Sequence, residues 1–272
     1  MQSAGHDFYD SPRPVPQDQA DGLRRLFGGR RRHVLPLVAN PHVAFSGLVL
    51  DRLAAVFAAN GREVLVVDAG ALSPPPHELA TVELSACVER LSPRVSYLPA
   101  RGLPTLHVDT RGAAGGFIEA VLQAAPQAEI VLLHAEGQDL ARIFKGRAAR
   151  PLLIGADHPE SIKHAYANLK LLARRCDLLT FDLLLAASTL SPRAAAIGAS
   201  LADCADRFAG AMLLHTALID PADDPGLAPD AALSALLAAQ LSLDDSPPLP
   251  AAPPAYMLPR AATQFSNRPA HP

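Results

Sequence analysis

Residues 33–69 read HVLPLVANPHVAFSGLVLDRLAAVFAANGREVLVVDA. The stretch divides into strand, loop, helix and strand: HVLPLVA, NPHVAFSG, LVLDRLAAVFAANG and REVLVVDA. Outward from it, strand-like and helix-like segments alternate from Arg32 to about Asp220. Strands are predicted near His33–Ala39, Glu63–Asp68, Val95–Leu98, Thr105–Val108, Glu129–His134, Pro151–Gly155, Leu178–Ala186 and Ala211–Leu218. Helices are predicted near Ser46–Ala59, His77–Arg90, Ala114–Ala124, Gln138–Phe144, Glu160–Arg174, Pro192–Phe208 and Ala231–Ala239. The runs EVLVV, EIVLL and LLTFDLLLA are continuously apolar, as in strands buried on both faces of a parallel sheet. The expected fold is α/β, a doubly wound, mostly parallel sheet spanning residues 32–240 as one domain. A chain of 272 residues, 49% of them apolar, has enough material for such a domain with tails.

The loop after the first strand is informative through what it lacks. A loop that cradles phosphate between a strand and a helix presents glycine N–H groups, a lysine toward the β- and γ-phosphates, and a Ser/Thr hydroxyl for Mg²⁺. Of these, Ser46 supplies the hydroxyl and nothing supplies the rest. Pro41 has no N–H to offer. His42 and Ala44 carry Cβ atoms where glycine could take positive φ, at a cost of about 1 kcal/mol each if that conformation were forced. Phe45 brings no charge. The helix starting near Phe45 keeps a positive dipole end, so a weak anion site is expected to remain and tight Mg-ATP binding is not.

This opening resembles the MinD/ParA branch of P-loop ATPases, whose loop reads roughly x-K-G-G-x-G-K-[ST]. On that pattern Asn40 stands for the branch's signature lysine, and Pro41 and His42 for the paired glycines. Val43 takes the free position, Ala44 the third glycine, Phe45 the second lysine and Ser46 the hydroxyl. Later segments carry the resemblance further. Asp68, closing the second strand, matches a family aspartate. The family's Mg²⁺-positioning aspartate, in a pattern like F-D-x-I-I-I-D-T-x-x-G, falls on His134 within AEIVLLHAEG. A neutral imidazole is a poor ligand for Mg²⁺, which prefers hard oxygen donors. Glu136, two residues on, offers a carboxylate from a different place. DHPESIKHAYANLKLLARR, residues 157–175, is similar to the family's P-[ST]-S-I-x-D-A-Y-x-x-[IL]-K-L-L: Pro159, Ser161, Ile162, Ala165, Tyr166, Leu169, Lys170, Leu171 and Leu172 fall in step, with His164 at the Asp position. The same residues also read as an amphipathic helix packed on a sheet.

Before the domain stands QDQADGLRRLF, residues 17–27, a short amphipathic helix with Leu23, Leu26 and Phe27 on one face. It resembles the D-Q-A-x-x-L-R motif of FlhG-type, MinD-like regulators of flagellar number, through Asp18, Gln19, Ala20, Leu23 and Arg24. The resemblance implies that the helix binds an FlhF-type GTPase of the signal-recognition-particle class and stimulates GTP hydrolysis. Gln19 would act in trans, where a glutamine can orient the attacking water. Asp18, Ala20, Leu23, Arg24 and Phe27 would seat the helix in a partner groove. Flagellar basal-body proteins are further expected partners, and recruitment to the cell pole would run through partners. An ordinary helix capping the domain is the competing reading of the same residues.

Composition narrows the remainder. A net charge of −3 argues against a nucleic-acid partner. No apolar run is long enough to span a membrane and no N-terminal signal pattern is present, so the expected location is cytoplasmic. The segment after Ala231 lacks the Lys/Arg face that anionic lipids attract, so stable direct membrane binding is not expected. Residues 1–16 and the Pro-rich tail from 241 are read as disordered, flanking the helix and basic linker of 17–31. Cys87, Cys176 and Cys204 show no metal or disulfide spacing; Cys87 and Cys204 are expected to be buried thiols. No metal site is expected, His158 and His164 lying too far apart to share a helix face. Lys145, Arg147 and Arg150 read by default as surface charge, and Ser188 and Ser191 as turn and cap residues. No cofactor is expected, with weak ATP/Mg binding left open. The whole reads as a non-hydrolysing regulator. An atypical ATPase using Ser46, Asp68 and Glu136, or an adaptor in another positioning system, remains as the alternative.

Overall fold

The computed structural model describes residues 32–224 and 228–242. The N-terminal segments through residue 31, where the activator helix is predicted, and the tail beyond residue 242 lie outside these. In chain order the elements are β1 (His33–Val38), α1 (Ser46–Ala59), β2 (Val64–Ala69), β3 (Glu89–Arg90), β4 (Val95–Pro99), α2 (Leu103–Leu106), α3 (Gly116–Ala124), β5 (Ile130–Ala135), α4 (Gly137–Ile143), β6 (Leu152–Ala156), α5 (Pro159–Cys176), β7 (Thr180–Ala186), α6 (Ala194–Ala209), β8 (Met212–Ile219) and α7 (Ala231–Leu241).

The strands form one sheet in the order β3-β4-β2-β5-β1-β6-β7-β8. Every pairing is parallel except the short β3–β4 edge. β2 and β5 are buried along their whole length, as their unbroken apolar runs require. Alternate side chains feed two cores. One face packs Phe117 and Val121 of α3, Leu140 and Ile143 of α4, Leu169 and Leu172 of α5, and Leu201 of α6. The other packs Val49, Leu53 and Phe57 of α1 with Leu233 and Leu236 of α7. The sheet is doubly wound. β1 and β2 are not neighbours, because β5 returns between them. The strand ends at this crossing form the crevice where such sheets hold ligands.

Two predicted elements are corrected. The helix expected over His77–Arg90 is instead two 3-10 turns, Glu78–Thr81 and Leu84–Cys87, followed by β3. Pro74–Pro76 precede it and its apolar residues form no single stripe, so Val82 is left exposed. The strand expected over Thr105–Val108 is replaced by the one-turn helix α2. Gly102 at φ 79° turns the chain out of β4, and Pro104 has no N–H for a ladder. Cys204, expected buried, is half-buried in α6; Cys87 is buried, and both are free thiols.

Candidate functional site

A cavity of about 280 Å³ opens at the carboxyl ends of β1, β2 and β5. The loop after β1, the first turns of α1 and the loop after β2 wall it. Asn40, Pro41, Ser46, Asp68, His134 and Glu136, picked out from sequence, all line it.

Asn40 does not point toward a ligand. Its side chain is buried, and Nδ2 lies 2.8 Å from the Ile154 carbonyl, 2.9 Å from the Ser161 carbonyl and 3.0 Å from Ser161 Oγ. Its Oδ1 accepts from the His42 N–H at 3.1 Å. The residue in the signature-lysine place therefore staples the loop to β6 and α5. Ser161 is itself fully buried and accepts from the Ala156 N–H, so the best-matched helix of the sequence is tied to the most altered loop. Behind the staple, the His42 and His164 rings meet edge-on at 5.8 Å, with His164 Nε2 3.3 Å from the Ala39 carbonyl. His158 caps α5, its Nδ1 accepting from the Glu160 N–H.

The strain predicted for His42 and Ala44 falls elsewhere. Phe45 is the residue at positive φ, 59°, as the N-cap of α1, and its side chain makes no capping bond. The left-handed conformation costs a phenylalanine about 1–2 kcal/mol. The ring recovers nothing by burial, since it is 74% exposed.

Asp68 is the centre of the polar network. Its Oδ1 lies 2.6 Å from His134 Nδ1 and accepts from the Ser73 hydroxyl and, at 3.4 Å, from the Gly70 N–H. Its Oδ2 accepts from Tyr97 Oη at 3.2 Å. Burial pushes the carboxyl up, but the His134 hydrogen bond and charge, the Ser73 hydroxyl and the Gly70 N–H outweigh it and hold Asp68 below the usual carboxylate range. Burial and the Asp68 charge push the Tyr97 phenol up. The position expected to lack a carboxylate thus carries an imidazole bonded to the aspartate that remains. This follows from register: β2 and β5 are adjacent, and Asp68 is paired with His134. The loop after β2 is held across the crevice by Glu136, whose Oε1 accepts from the Ala71 N–H at 3.1 Å. A Cβ at Gly137 would sit 1.9 Å from Asn168 Oδ1 on α5, so any larger residue would displace that side chain.

Ser73, Tyr97 and Asp51 complete the site and escape a sequence reading. Ser73 lies in a proline-rich loop, Tyr97 sits inside an ordinary strand run, and Asp51 is one polar residue of a helix.

No family model matches the chain, and no curated protein matches its sequence. Similar solved structures exist. Cobyrinic acid a,c-diamide synthase from Mycobacterium smegmatis aligns at TM-score 0.53 and 17% identity, over 79% of this chain and 96% of that one. The same enzyme with bound ATP analog and magnesium aligns at TM-score 0.52 and 18% identity, with the same coverage. The chain shares the fold of that enzyme, a doubly wound, mostly parallel α/β sheet. MinD from Aquifex aeolicus, in complex with MinC, aligns at TM-score 0.47 and 12% identity over 70% of this chain and 82% of that one, and adds nothing to this conclusion.

The side chains around the cavity differ from those of a phosphate cradle. Asp51, Asp68 and Glu136 line the cavity, and among the described residues no Lys or Arg does. A triphosphate would meet like charge, and two unit charges 4 Å apart repel by about 1 kcal/mol even in water. Asp68, the one matched carboxylate, has both oxygens engaged within the protein. The first turn of α1, expected to leave a weak anion site, lines the same cavity as these carboxylates.

The other basic residues are dispersed. Arg147 pairs with Glu119, Lys145 donates to the Arg111 carbonyl at 2.6 Å, and Arg150 is buried against Asp182. Arg150 corrects the reading of that block as surface charge. Ser191 donates to Asp157 Oδ2 at 2.8 Å and Ser188 caps a turn at Leu190. Among the described residues no cluster of metal-binding side chains occurs, and no helix is long and apolar enough to cross a membrane.

Proposed function

We propose that the protein is a non-hydrolysing regulator of the FlhG kind, built on a MinD-like fold and acting in flagellar number and placement. Its N-terminal D-Q-A-x-x-L-R helix stimulates an FlhF-type GTPase, with Gln19 supplied in trans. Asp18, Ala20, Leu23, Arg24 and Phe27 seat that helix, and the domain acts as its docking body. Basal-body proteins and the cell pole enter through partners rather than through direct membrane binding.

The observation that carries the non-hydrolysing part is the engagement of Asp68 by His134, Ser73 and Tyr97. Asn40 is turned into the fold and Phe45 stands in the lysine slot, so among the described residues no cationic side chain lines the cavity for a γ-phosphate. The activator part rests on the motif before the domain.

The test is GTP turnover by the cognate FlhF-type GTPase with the wild-type protein and with Gln19→Ala. Stimulation that disappears with Gln19→Ala supports the reading. No stimulation by the wild type would move the protein to an adaptor of another positioning system. A second reading has one observation in its favour: Ser46, Asp68 and Glu136 share one cavity, as an atypical ATPase would require.

A further inference from the structure

The buried stripe of α6 runs through Ala194, Gly198, Leu201 and Ala205. Phe208 is the next position on that stripe by i, i+3 spacing, yet it is 65% exposed. Gly210, at φ 61°, turns the chain from there into β8, so Phe208 lies at the amino-terminal end of the sheet. Met212, the first residue of β8, is 58% exposed, and its N–H donates at 2.7 Å to the carbonyl of Leu179, itself 50% exposed. Three large apolar side chains thus share the corner where β7 and β8 begin. A grouping of this kind marks a contact surface.

The length of chain before β1 points to the occupant. β1 starts at the same end of the sheet, where His33–Pro36 and Thr180 line one crevice. It stands two strands from β7 and three from β8, which is about 10 and 14 Å at about 4.8 Å per strand. Arg32 fixes the point of entry, donating to the Leu122 and Pro126 carbonyls, both at 2.9 Å. From Phe27 to Arg32 an extended chain reaches about 17 Å. The helix predicted over residues 17–27 carries Leu23, Leu26 and Phe27 on one face. A segment that short, with Gly22 inside it, does not hold a helix alone in water and needs an apolar surface to fold against. Leu91, beside β3 and four strands from β1, is out of reach at about 19 Å. The exposed apolar residues of the loops after β1, β2, β4 and β7 stand at the opposite end of the sheet.

We infer that residues 17–27 dock as a helix on the corner formed by Leu179, Phe208 and Met212, and that this holds the activator helix out of action until a partner GTPase competes for it. The consequence rests on the activator reading; the contact itself does not. Leu23 and Phe27 cannot seat in a partner groove and cover Phe208 at once, so the two bindings exclude each other. The capping and activating readings of the segment become two positions of one helix.

The experiment is hydrogen exchange with mass spectrometry on the full-length protein, wild type and Phe208→Ser/Met212→Ser, at two concentrations about tenfold apart. Both substituted side chains are more than half exposed, and melting midpoints close to wild type check that the fold survives. Residues 18–27 should exchange at least about tenfold more slowly in wild type than in the variant, equally at both concentrations. Leu23→Ser, made outside the domain, gives the reciprocal reading, faster exchange over 206–212. With the cognate FlhF-type GTPase, Phe208→Ser/Met212→Ser should reach half-maximal stimulation at a concentration about threefold lower. Equal exchange of residues 18–27 in wild type and variant overturns the docking. Loss of protection over 250–265 instead would make the tail the occupant, and wild-type protection that falls on dilution would make it a second copy; either overturns the inference. Protection lost in the variant with half-maximal stimulation unchanged overturns the sequestration. Protection as expected, with no stimulation by either protein, leaves the contact standing and sinks the activator reading beneath it.

Discussion

Asp182 and Asp68 both sit on sheet strands and both bond a histidine Nδ1, at 2.9 Å to His215 and 2.6 Å to His134. Their surroundings differ. Asp182 is fully buried, and Arg150 Nε lies 2.9 Å away, Gln240 Nε2 donates at 2.7 Å and the His215 N–H at 3.1 Å. Its formal charge is met by a cation and its neighbours belong to β7, β8, α7 and the segment before β6. Asp68 has hydroxyls and an imidazole but no arginine, and it borders a cavity. The first arrangement is a closed scaffold joint. The second is stable yet incomplete, with one ring nitrogen unsatisfied at the wall. The difference separates the part of the domain that holds the sheet together from the part that borders the cavity.

The contrast can be broken most forcefully at Arg150. Replacing it with methionine strands a buried carboxylate, and stability should fall by about 3–5 kcal/mol in urea unfolding. Combining Arg150→Met with Asp182→Asn should recover most of that loss. A fall below about 1 kcal/mol for the single substitution would mean that the joint is not closed.

Asp68→Asn should cost less, about 1–3 kcal/mol, since it removes hydrogen bonds at a site bordering water. A loss equal to that of Arg150→Met would make Asp68 scaffold as well. The pH dependence sharpens this point. Asp68 is held below the ordinary carboxylate range in the fold, so the folded state binds its proton less well than the unfolded chain. The stability it contributes is full above the unfolded value of about 3.9 and is lost as pH falls through the lower folded value. The stability gap between wild type and Asp68→Asn, followed by denaturant melts from pH 7 to pH 3, should therefore narrow only below about pH 4. A gap that closes between pH 5 and 7 would contradict the assignment to Asp68.

The smallest expected effect is at Phe45. Phe45→Gly removes the left-handed strain and loses no burial, so the melting midpoint should rise by the equivalent of up to about 1 kcal/mol. A loss of stability would mean that the exposed ring is held by contacts outside the described residues.

Much of the fold was readable because its signal is local. Continuous apolar runs became β2, β5, β6 and β7, and Ser46–Ala59 became α1 with those bounds. Proline hid the rest: Pro74–Pro76 and Pro104 override the apolar content of the segments that follow them. In the site, the missing lysines and glycines were visible residue by residue. Two features were not. The left-handed turn settled on Phe45, the residue before α1, rather than on His42 or Ala44. The Asp68–His134 bond joins residues 66 apart in the chain, and only the insertion of β5 beside β2 brings them together.

The most direct test of the closed nucleotide site is calorimetric titration of the full-length protein with millimolar Mg-ATP. The account predicts no saturable heat. Saturable binding with a Kd well below about 1 mM, abolished by Ser46→Ala, would contradict it and make the cavity a nucleotide site.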